Sequence, residues 1–538
     1  MFKSVVLTSM AKVMPYNTLD TLYCVNEFSC LKGEKLCFQI ALQSDCDDTV
    51  DFAISDRAGL SVFEIGYTPA SFAASEEADF YYITKMPGVF PDVLNAKNDS
   101  KLILLKDKPS VLFFEFESDT AGEREIDFTF TNGTETLTQK VKIDVVNYQL
   151  PKADFTCTHW FHTDCLCDWY GFEPFSDEYW LCVENYVKTA AEHGINSLLI
   201  PLFTPALDTE IGGERRTVQL VDVEIDENGY RFGFDKLRKW IELYKRCGMD
   251  AYEFSHFFTQ WGALHAPKIM ATQNGEYKRI FGWETDSTGE EYVSFLTALS
   301  KELKPVLKEC GIENCSYFHV SDEPGEKDIE QYEKCSKIIN SLFGEYKMID
   351  ALSEFDFYKK GIVKHPIPEI SHAADFVGNV PDLWIYYCCG PVDGNYPNRF
   401  LSMPSQRTRV LGYQLYKYDI KGFLHWGYNF WYSQLSKAQI NPYEVSDSGN
   451  AFTAGDPFVV YPGENYTPVC ALRLKVFRDC LQDMRALLAL EAIAGKEKAM
   501  EILESDGEIT FNKYPHSERW LFEKRAAINN LIKELTKN

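Results

Sequence analysis

After residue 150, short apolar segments alternate with helical segments, and this alternation constrains the fold more than any other feature of the chain. The strand candidates are THWFHTD (158–164), NSLLIPL (196–202), DAYEFSHFF (250–258), SYFHVS (316–321), KMIDAL (347–352), DFVGNV (375–380), WIYYCC (384–389) and GFLHW (422–426). Strands that alternate with helices are typical of βαβ units, and this number of strands matches a (β/α)8 barrel. The sequence therefore predicts a TIM-like barrel in the middle of the chain.

The intervening segments carry the end signals of helices. Ser176 is placed to cap one helix, and Gly194 follows its last turn. A second helix is expected to be capped by Asp235 and to stop at Gly248, and a third covers about 290–309. Each of these helices precedes a strand candidate, as a barrel requires.

The first 150 residues follow a different pattern, in which apolar and polar residues alternate. KLCFQIALQS (35–44) and SVLFFEFES (110–118) are rich in β-branched and aromatic residues, as expected of strands. The TNGT stretch at 131–134 predicts a hairpin, because Asn-Gly accepts positive φ at both turn positions. Pro151 then interrupts the last strand. These signals predict an N-terminal β-sandwich over residues 1–150.

The remaining boundaries follow from the end of the strand candidates. The barrel is predicted to cover 151–490, and a C-terminal helical extension is predicted over 491–538. The chain beyond about residue 470 is helical and amphipathic. The predicted fold class is therefore multidomain α and β, with an N-terminal β-sandwich, a (β/α)8 barrel and a C-terminal helical tail.

Charge and cysteine usage restrict the partners and the compartment. The net charge is −26 without a block of Lys or Arg, which argues against nucleic acid or an anionic membrane surface as a partner. No run approaches the roughly 20 apolar residues that span a bilayer, and the N-terminus lacks the apolar core of a secretory signal. The 16 cysteines are scattered and indicate reduced, buried thiols, so a cytoplasmic protein is expected.

Two adjacent carboxyl groups, Asp322 and Glu323, follow the fourth strand candidate in the stretch FHVSDEPGEKD. Each raises the cost of ionising the other, which a turn in water would tolerate and a catalytic cleft would use. In barrel enzymes the carboxyl ends of the strands carry the chemistry. We therefore predict that this pair is catalytic, with a solvated surface turn before Pro324 as the alternative.

Other side chains are predicted to share the same rim. The predicted rim positions are His159, Trp160, His162, Asp164, His256, Phe257, Tyr386, Tyr387, Trp426, Asn429 and Trp431. Aromatic faces mixed with hydrogen-bonding groups suit a ring-shaped, hydroxylated ligand. They do not suit a nucleotide, and neither GxxxxGK[ST] nor GxGxxG occurs in the sequence.

Several of these residues also have purely structural interpretations. His159, His162 and Asp164 resemble a metal cluster, but the two histidines are three apart on a strand and do not point their rings one way. Substrate hydrogen bonding or core packing is therefore favoured, and no metal is predicted. Cys388 and Cys389 are expected to be inert packing. Trp431, like Trp426, is as well suited to a barrel wall as to a sugar platform.

Adjacency also constrains the mechanism. Neighbouring side chains of an extended segment point to different sides, and they do not readily sandwich a sugar as the ~5–5.5 Å pair of an ordinary retaining glycosidase does. This favours a substrate that supplies its own nucleophile through a 2-acetamido group. Glu323 would protonate the leaving oxygen, while Asp322 stays ionised and orients the acetamido group.

Four segments resemble, in the same order, successive motifs of glycoside hydrolase family 123 and a wider group of hydrolase-like relatives. They are FHVSDEP (318–324), WIYYCCGPVDGNYPNRF (384–400), KYDIKGFLHWGYNFW (417–431) and AGDPFVVYPGENYTPVCALRLKVFRDCLQDMRALL (454–488). The resemblance implies a β-sandwich followed by a barrel. It also implies an exo-acting, retaining β-N-acetylgalactosaminidase that acts by substrate assistance on an oligosaccharide or glycoconjugate, without metal or organic cofactor.

The resemblance assigns roles to particular residues. It implies that Asp322 orients the acetamido group and that Glu323 is the general acid/base. The residues implied to line the sugar pocket are Tyr386, Tyr387, Trp426, Asn429 and Trp431. The stretch RDCLQDMRAL departs from the family pattern, which has a glycine and a further acidic residue there. Two alternatives stay open: a glycosidase for sugars without an acetamido group, and a non-hydrolytic carbohydrate-binding protein.

Overall fold

The computed structural model describes residues 1–537, and of Glu326 the backbone alone. The N-terminal region consists of strands. They are β1 (Phe2–Thr8), β2 (Glu27–Lys32), β3 (Lys35–Ser44), β4 (Asp48–Ile54), β5 (Leu60–Ala70), β6 (Gly88–Ala96), β7 (Lys101–Leu104), β8 (Ser110–Glu117), β9 (Gly122–Thr131) and β10 (Thr136–Gln149). The prediction of a β-rich N-terminal region is therefore confirmed.

These strands form two five-stranded sheets that share a core. One sheet has the order β1-β3-β8-β5-β6 and the other has the order β2-β10-β9-β4-β7. Phe38 and Phe114 stack within the first sheet with their ring centroids 5.1 Å apart, and Phe114 meets Phe128 of the second sheet edge to face at 4.7 Å. All three rings are buried, and each such burial contributes about 1.5–3 kcal/mol.

The hairpin between β9 and β10 forms as predicted, but its turn differs. Thr131 pairs with Thr136, so four residues close the loop. Positive φ occurs at Gly133 (86°), whereas Asn132 does not adopt it. The Asn132 carboxamide oxygen instead accepts hydrogen bonds from the backbone N–H groups of Thr134 and Glu135, at 3.0 and 2.8 Å. The side chain thus builds the turn, and the expectation of positive φ at both positions is wrong.

From residue 156 onward, strands alternate with helices. The first part contains β11 (Thr156–His159), α1 (Thr163–Tyr170), α2 (Asp177–Glu192), β12 (Ser197–Leu198), β13 (Asp222–Asp226), β14 (Gly229–Gly233), α3 (Asp235–Cys247), β15 (Tyr252–Glu253), β16 (Ile269–Gln273), β17 (Glu276–Phe281), α4 (Glu290–Glu309) and β18 (Ser316–Phe318). The second part contains α5 (Ile329–Phe343), β19 (Lys347–Ala351), α6 (Phe355–Lys359), β20 (His365–Ile367), α7 (Ala373–Phe376), β21 (Trp384–Tyr386), α8 (Ser405–Arg409), α9 (Leu411–Lys417), β22 (Gly422–His425), β23 (Val460–Pro462), β24 (Pro468–Cys470), α10 (Leu472–Ala494), α11 (Lys496–Leu503) and α12 (Glu518–Leu535).

Two parallel four-stranded sheets form the centre of this region. One has the order β12-β11-β22-β21 and the other has the order β15-β18-β19-β20. Two single parallel bridges, Ile200–Phe254 and Glu369–Tyr386, connect the ends of the two sheets. The strands therefore run in one direction, and their carboxyl ends meet at one face of a mixed α/β fold.

Most strand candidates are found, although each is shorter than predicted. The sixth is wrong: DFVGNV (375–380) overlaps α7, and the strand is β20. The first candidate ends at His159, because Thr163 already begins α1. A short apolar run does not distinguish strand from helix, and this ambiguity accounts for the sixth candidate.

The predicted helix ends fit closely. The Ser176 hydroxyl accepts a hydrogen bond from the Tyr179 backbone N–H at 3.2 Å, so the predicted cap of α2 is confirmed. Gly248 ends α3 in the left-handed conformation, with φ 87°. Asp235 is the first helical residue rather than the cap, which is Phe234.

Helix α10 joins the N-terminal sheets to the rest of the chain. The Arg473 guanidinium donates to the Asp92 carboxylate of β6 from Nε at 2.9 Å and from Nη2 at 2.8 Å, and both side chains are buried. Gly412 of α9 lies against α10 so closely that a Cβ there would meet the Cys480 carbonyl oxygen. No helix among residues 1–537 is long and apolar enough to cross a membrane.

Candidate active site

The loop that follows β18 carries the adjacent carboxyl groups. Glu323 adopts φ 42°, a left-handed conformation that costs free energy for any residue with a Cβ. The Trp261 backbone N–H donates to the Asp322 carbonyl oxygen at 3.0 Å and helps to hold this turn. The prediction that Asp322 and Glu323 lie in an extended segment is therefore wrong. The pair lies in a turn that brings both side chains to one pocket.

The pocket encloses about 580 Å³, its open mouth included. Its lining residues are Trp160, Leu207, Asp208, Gln260, Trp261, Asp322, Glu323, Ala351, Tyr386, Cys388, Cys389, Leu424, Trp426 and Phe452. Nearly all of them belong to the carboxyl ends of the parallel strands or to the loops that follow. The strand direction thus explains why residues so distant in sequence converge.

Glu323 is held by Tyr386. The Tyr386 hydroxyl donates a hydrogen bond to Glu323 Oε1, with 2.5 Å between the oxygens. The Glu323 side chain is exposed at the pocket mouth, but it is partly enclosed because it lines the pocket wall. This burial raises the pKa of Glu323 and the nearby Glu369 charge raises it further, whereas the Tyr386 hydrogen bond lowers it. A carboxyl group with a raised pKa is suited to donate a proton.

Asp322 lies deeper than Glu323. Burial raises its pKa well above the usual aspartate value, and the charges of Glu323, Asp350 and Asp208 act in the same direction. The charge of His319 opposes them. Together these effects favour the protonated form of Asp322, whereas the sequence predicted that Asp322 stays ionised.

Two further carboxyl groups belong to the site and were not predicted. Asp208 lines the pocket, accepts a hydrogen bond from the Leu435 backbone N–H at 2.9 Å, and has a pKa that burial raises to about 6. Asp456 accepts a hydrogen bond from Trp426 Nε1 at 2.8 Å and fixes that indole. Burial raises the pKa of Asp456 to about 7.

The predicted substrate-binding residues are distributed unevenly. Tyr386 and Trp426 line the pocket together with the carboxyl pair. His256 is buried behind Trp160, and the centroids of the two rings are 5.1 Å apart. His256 therefore contacts a residue of the pocket lining, Trp160, and does not itself line the pocket.

Other predicted residues are buried in the interior, behind the lining. Asn429 makes two hydrogen bonds to the His162 backbone, at 2.9 and 3.0 Å, so these two residues fix each other. His159 contacts Arg399 at 3.0 Å, Tyr387 packs edge to face on Phe423 at 4.9 Å, and Trp431 donates to the Val460 carbonyl at 3.2 Å. The structure gives these five residues packing contacts rather than an open face.

Four of the lining residues that the sequence did not predict come from two loops. Leu207 and Asp208 follow β12, and Gln260 and Trp261 follow β15. The side-chain carboxamide of Gln260 donates to the Thr209 carbonyl at 3.0 Å, which ties the two loops together. An indole beside a glycine in TQWG, after a predicted strand, was the available signal.

One buried cluster has metal-ligand chemistry. His256, His319 and Asp350 place one potential ligand atom each within 4.8 Å of the others. The two imidazoles stack at 4.2 Å with 26° between their planes, so their in-plane lone pairs do not converge. The His319 nitrogens already face Glu253 Oε1 at 2.6 Å and Asp350 Oδ1 at 3.4 Å. The cluster is therefore better described as a charge network than as a metal centre.

One known protein structure is similar to this fold over nearly its whole length. A family 123 glycoside hydrolase from Clostridium perfringens is similar over 99% of this chain and 98% of its own, with a TM-score of 0.75 and 16% sequence identity. A Bacteroides ovatus family 5 xyloglucanase (TM-score 0.32, 10% identity, 85% of this chain and 98% of that one) and a Thermotoga petrophila endo-β-1,4-mannanase (TM-score 0.34, 12% identity, 62% and 78%) are only distantly similar. No curated protein matches the chain in sequence.

The sequence itself matches a family description. The model of the family described as glycoside hydrolase 123, catalytic domain, matches residues 160–490, which is well over half of the chain. The matched range contains Asp322, Glu323 and all of the other residues that line the pocket. The chain is a glycoside hydrolase and belongs to glycoside hydrolase family 123.

Proposed function

We propose that the protein is a retaining exo-glycosidase that releases a terminal β-linked N-acetylhexosamine by substrate-assisted catalysis. The observation that carries the proposal is the convergence of Asp322 and Glu323 in one aromatic pocket. The resemblance to family 123 favours N-acetylgalactosamine as the released sugar. Trp160, Trp261 and Trp426 supply indole faces against which a sugar ring stacks.

We also infer that the parallel strands act as one closed (β/α)8 barrel. The two bridges between the four-stranded sheets support this inference. The corresponding division of the chain is a β-sandwich at 1–150, a catalytic barrel at 151–490 and a helical extension at 491–538. The buried contact between Arg473 and Asp92 makes the first two units interdependent.

The first chemical step breaks the glycosidic bond. Glu323 donates its proton to the leaving oxygen, while the carbonyl oxygen of the sugar's own acetamido group attacks the anomeric carbon. The aglycone leaves with the proton, and the sugar becomes a bicyclic oxazolinium ion. Asp322 accepts a hydrogen bond from the N–H of the acetamido group and stabilises the positive charge that develops there.

The second step returns the site to its starting state. Glu323, now ionised, removes a proton from water, and the resulting hydroxide attacks the anomeric carbon and opens the bicyclic ring. Two inversions at the same carbon give overall retention. The acetamido group is restored, and Glu323 is again protonated.

Ionisation of Asp322 is then linked to the substrate. In the unliganded pocket, burial and neighbouring carboxyl groups raise its pKa. A developing cation beside the carboxyl group has the opposite effect, because an opposite charge within ~4–6 Å favours the ionised form. Asp322 thus releases its proton to solvent before the glycosidic bond breaks, and the developing positive charge then stabilises the carboxylate.

A panel of aryl β-glycosides, each made with and without the 2-acetamido group, tests the proposal. We expect turnover of the acetamido members, inhibition by a GalNAc-thiazoline mimic of the bicyclic intermediate, and loss of activity in Asp322→Asn. Turnover of the members without the acetamido group would favour a conventional glycosidase. Binding without turnover of any member, unchanged in Glu323→Gln, would favour a carbohydrate-binding protein.

A further inference from the structure

A buried charge network includes His319, which lies where the strand before the carboxyl pair ends. His319 is fully buried and precedes Asp322 by three residues, at the point where β18 gives way to the catalytic loop. Its Nε2 lies 2.6 Å from Glu253 Oε1, and its Nδ1 lies 3.4 Å from Asp350 Oδ1. One imidazole therefore bridges two carboxyl groups that belong to the strands on either side, β15 and β19.

Both of these carboxyl groups are surrounded by donors. Glu253 accepts hydrogen bonds from the Thr158 hydroxyl and from Trp160 Nε1, the latter at 2.9 Å. Asp350 accepts one from the Val320 backbone N–H at 2.9 Å and another from the Tyr332 hydroxyl. Because Glu253 already accepts from Thr158 and Trp160, His319 Nε2 is left to donate to it, whereas His319 Nδ1 faces Asp350 at 3.4 Å without a hydrogen bond. This geometry suits an imidazolium whose Nε2 donates to Glu253 and whose Nδ1 faces Asp350.

The remaining neighbour is neutral. His256 stacks on His319 at 4.2 Å, and its two ring nitrogens are buried without a hydrogen-bond partner among the described residues. Burial and the charge of His319 hold the pKa of His256 well below its usual value. The titratable groups that face His319 are thus Glu253, Asp350, His256 and, across the loop, Asp322.

We propose that His319 is a positioning residue whose buried positive charge keeps Asp322 available as a carboxylate and whose two carboxylate partners hold the catalytic loop in place. This inference deepens the proposed function, because it concerns how Asp322 performs the role assigned to it there. His319 does not touch the substrate in this account. It acts through the field at Asp322 and through the Val320 contact that fixes the loop.

The electrostatics of His319 and Asp322 support this role for His319. Burial lowers the pKa of His319, but the contacts with Asp350 and Glu253 outweigh it and raise the pKa to about 9. His319 is therefore charged throughout the neutral range. Among the groups that act on Asp322, His319 is the one that lowers its pKa, against the carboxyl groups that raise it.

The pH profile of kcat/KM for an aryl β-N-acetylhexosaminide provides the test. The acid limb reports ionisation in the free enzyme, and His319→Asn removes the charge that favours ionised Asp322. We expect the acid limb to move to higher pH by about one unit, so that kcat/KM on that limb falls about tenfold at fixed pH. Glu253→Gln should move it in the same direction by less, and the exposed His372→Asn should leave it in place.

An acid limb that does not move in His319→Asn would contradict the inference. A His319→Asn enzyme that loses activity equally at every pH, with an unmoved acid limb, would show a purely structural role and overturn the inference. In the wild type, selective ¹⁵N-histidine NMR gives an independent answer if the variant does not fold. Two protonated ring nitrogens at pH 7.5 are expected for His319, and a neutral ring would contradict the inference. Failure of the proposed function is distinct, since the wild type would then not turn over the acetamido substrate.

Discussion

The Tyr386 hydroxyl donates a hydrogen bond to Glu323 Oε1 across 2.5 Å, and this contact joins the end of β21 to the loop after β18. It orients the carboxyl group on the pocket wall. It also lowers the pKa of Glu323 against the effect of burial. Orientation and acidity of the proposed general acid thus depend on one phenol.

Tyr386→Phe removes that hydrogen bond. Because the bond stabilises ionised Glu323, its loss should raise the pKa of Glu323 and move the basic limb of kcat/KM to higher pH. The pH profile on an aryl β-N-acetylhexosaminide checks this. Tyr413→Phe is the matched control, because the Tyr413 hydroxyl is buried without a hydrogen-bond partner among residues 1–537. A basic limb that stays in place in Tyr386→Phe would contradict the proposed link.

Glu323→Gln removes the proton donor while preserving shape. Turnover of substrates with poor leaving groups should fall about 10²–10⁴-fold, whereas activated aryl substrates should lose much less, because they leave without protonation. Kinetics over a series of leaving groups measures the difference. Glu330→Gln, on the exposed side of α5, should behave as wild type. Wild-type cleavage of an unactivated disaccharide by Glu323→Gln would remove this residue from the acid role.

The pocket should discriminate against anionic sugars. Asp208, Asp322 and Glu323 line it, and its described lining contains no Lys, Arg or His. A sulfate or carboxylate on the bound sugar would meet these carboxyl groups and no cationic side chain of the described lining in a partly desolvated site. We expect kcat/KM for a 6-sulfated aryl glycoside to be at least about tenfold below that of the neutral parent. Equal rates for the two would show that this position faces bulk solvent.

The contact between Arg473 and Asp92 should matter for stability. Both side chains are buried, and Asp92→Ala would leave the guanidinium without its carboxylate. Breaking a buried pair in this way costs about 3–5 kcal/mol, which chemical denaturation measures as a lower midpoint. Asp20→Ala breaks the exposed contact with Lys3 and should cost about 1 kcal/mol or less. Similar losses in the two variants would contradict the claim that the N-terminal sheets and the barrel region depend on each other.

The sequence predicted those features that depend on local chemistry. Ser176 caps α2 because its hydroxyl reaches the Tyr179 N–H, and the carboxyl pair follows β18 because strand direction sets the rim. Strand β20 escaped prediction because Pro366 lies within it and Pro368 follows, and prolines argue against a strand. The segment DFVGNV was wrongly predicted to be a strand in its place because it is an apolar run without proline.

The composition of the pocket was harder to predict. Asp208 and Trp261 come from long loops, and both adopt positive φ, at 40° and 56°. Such conformations are set by tertiary contacts, such as the Leu435 N–H that holds Asp208. Tyr386 and Tyr387 illustrate the opposite problem. Adjacent residues on a strand face opposite sides, so only one tyrosine of a promising pair lines the pocket.

In the proposed mechanism the acetamido group of the substrate acts as the nucleophile, and Asp322 orients it. Aryl glycosides whose acetyl group carries zero to three fluorines test it most directly, because fluorine weakens the carbonyl nucleophile without changing the leaving group. We expect kcat/KM to fall steeply along this series and to fall much less in Asp322→Asn. A rate that does not depend on fluorination would contradict this mechanism.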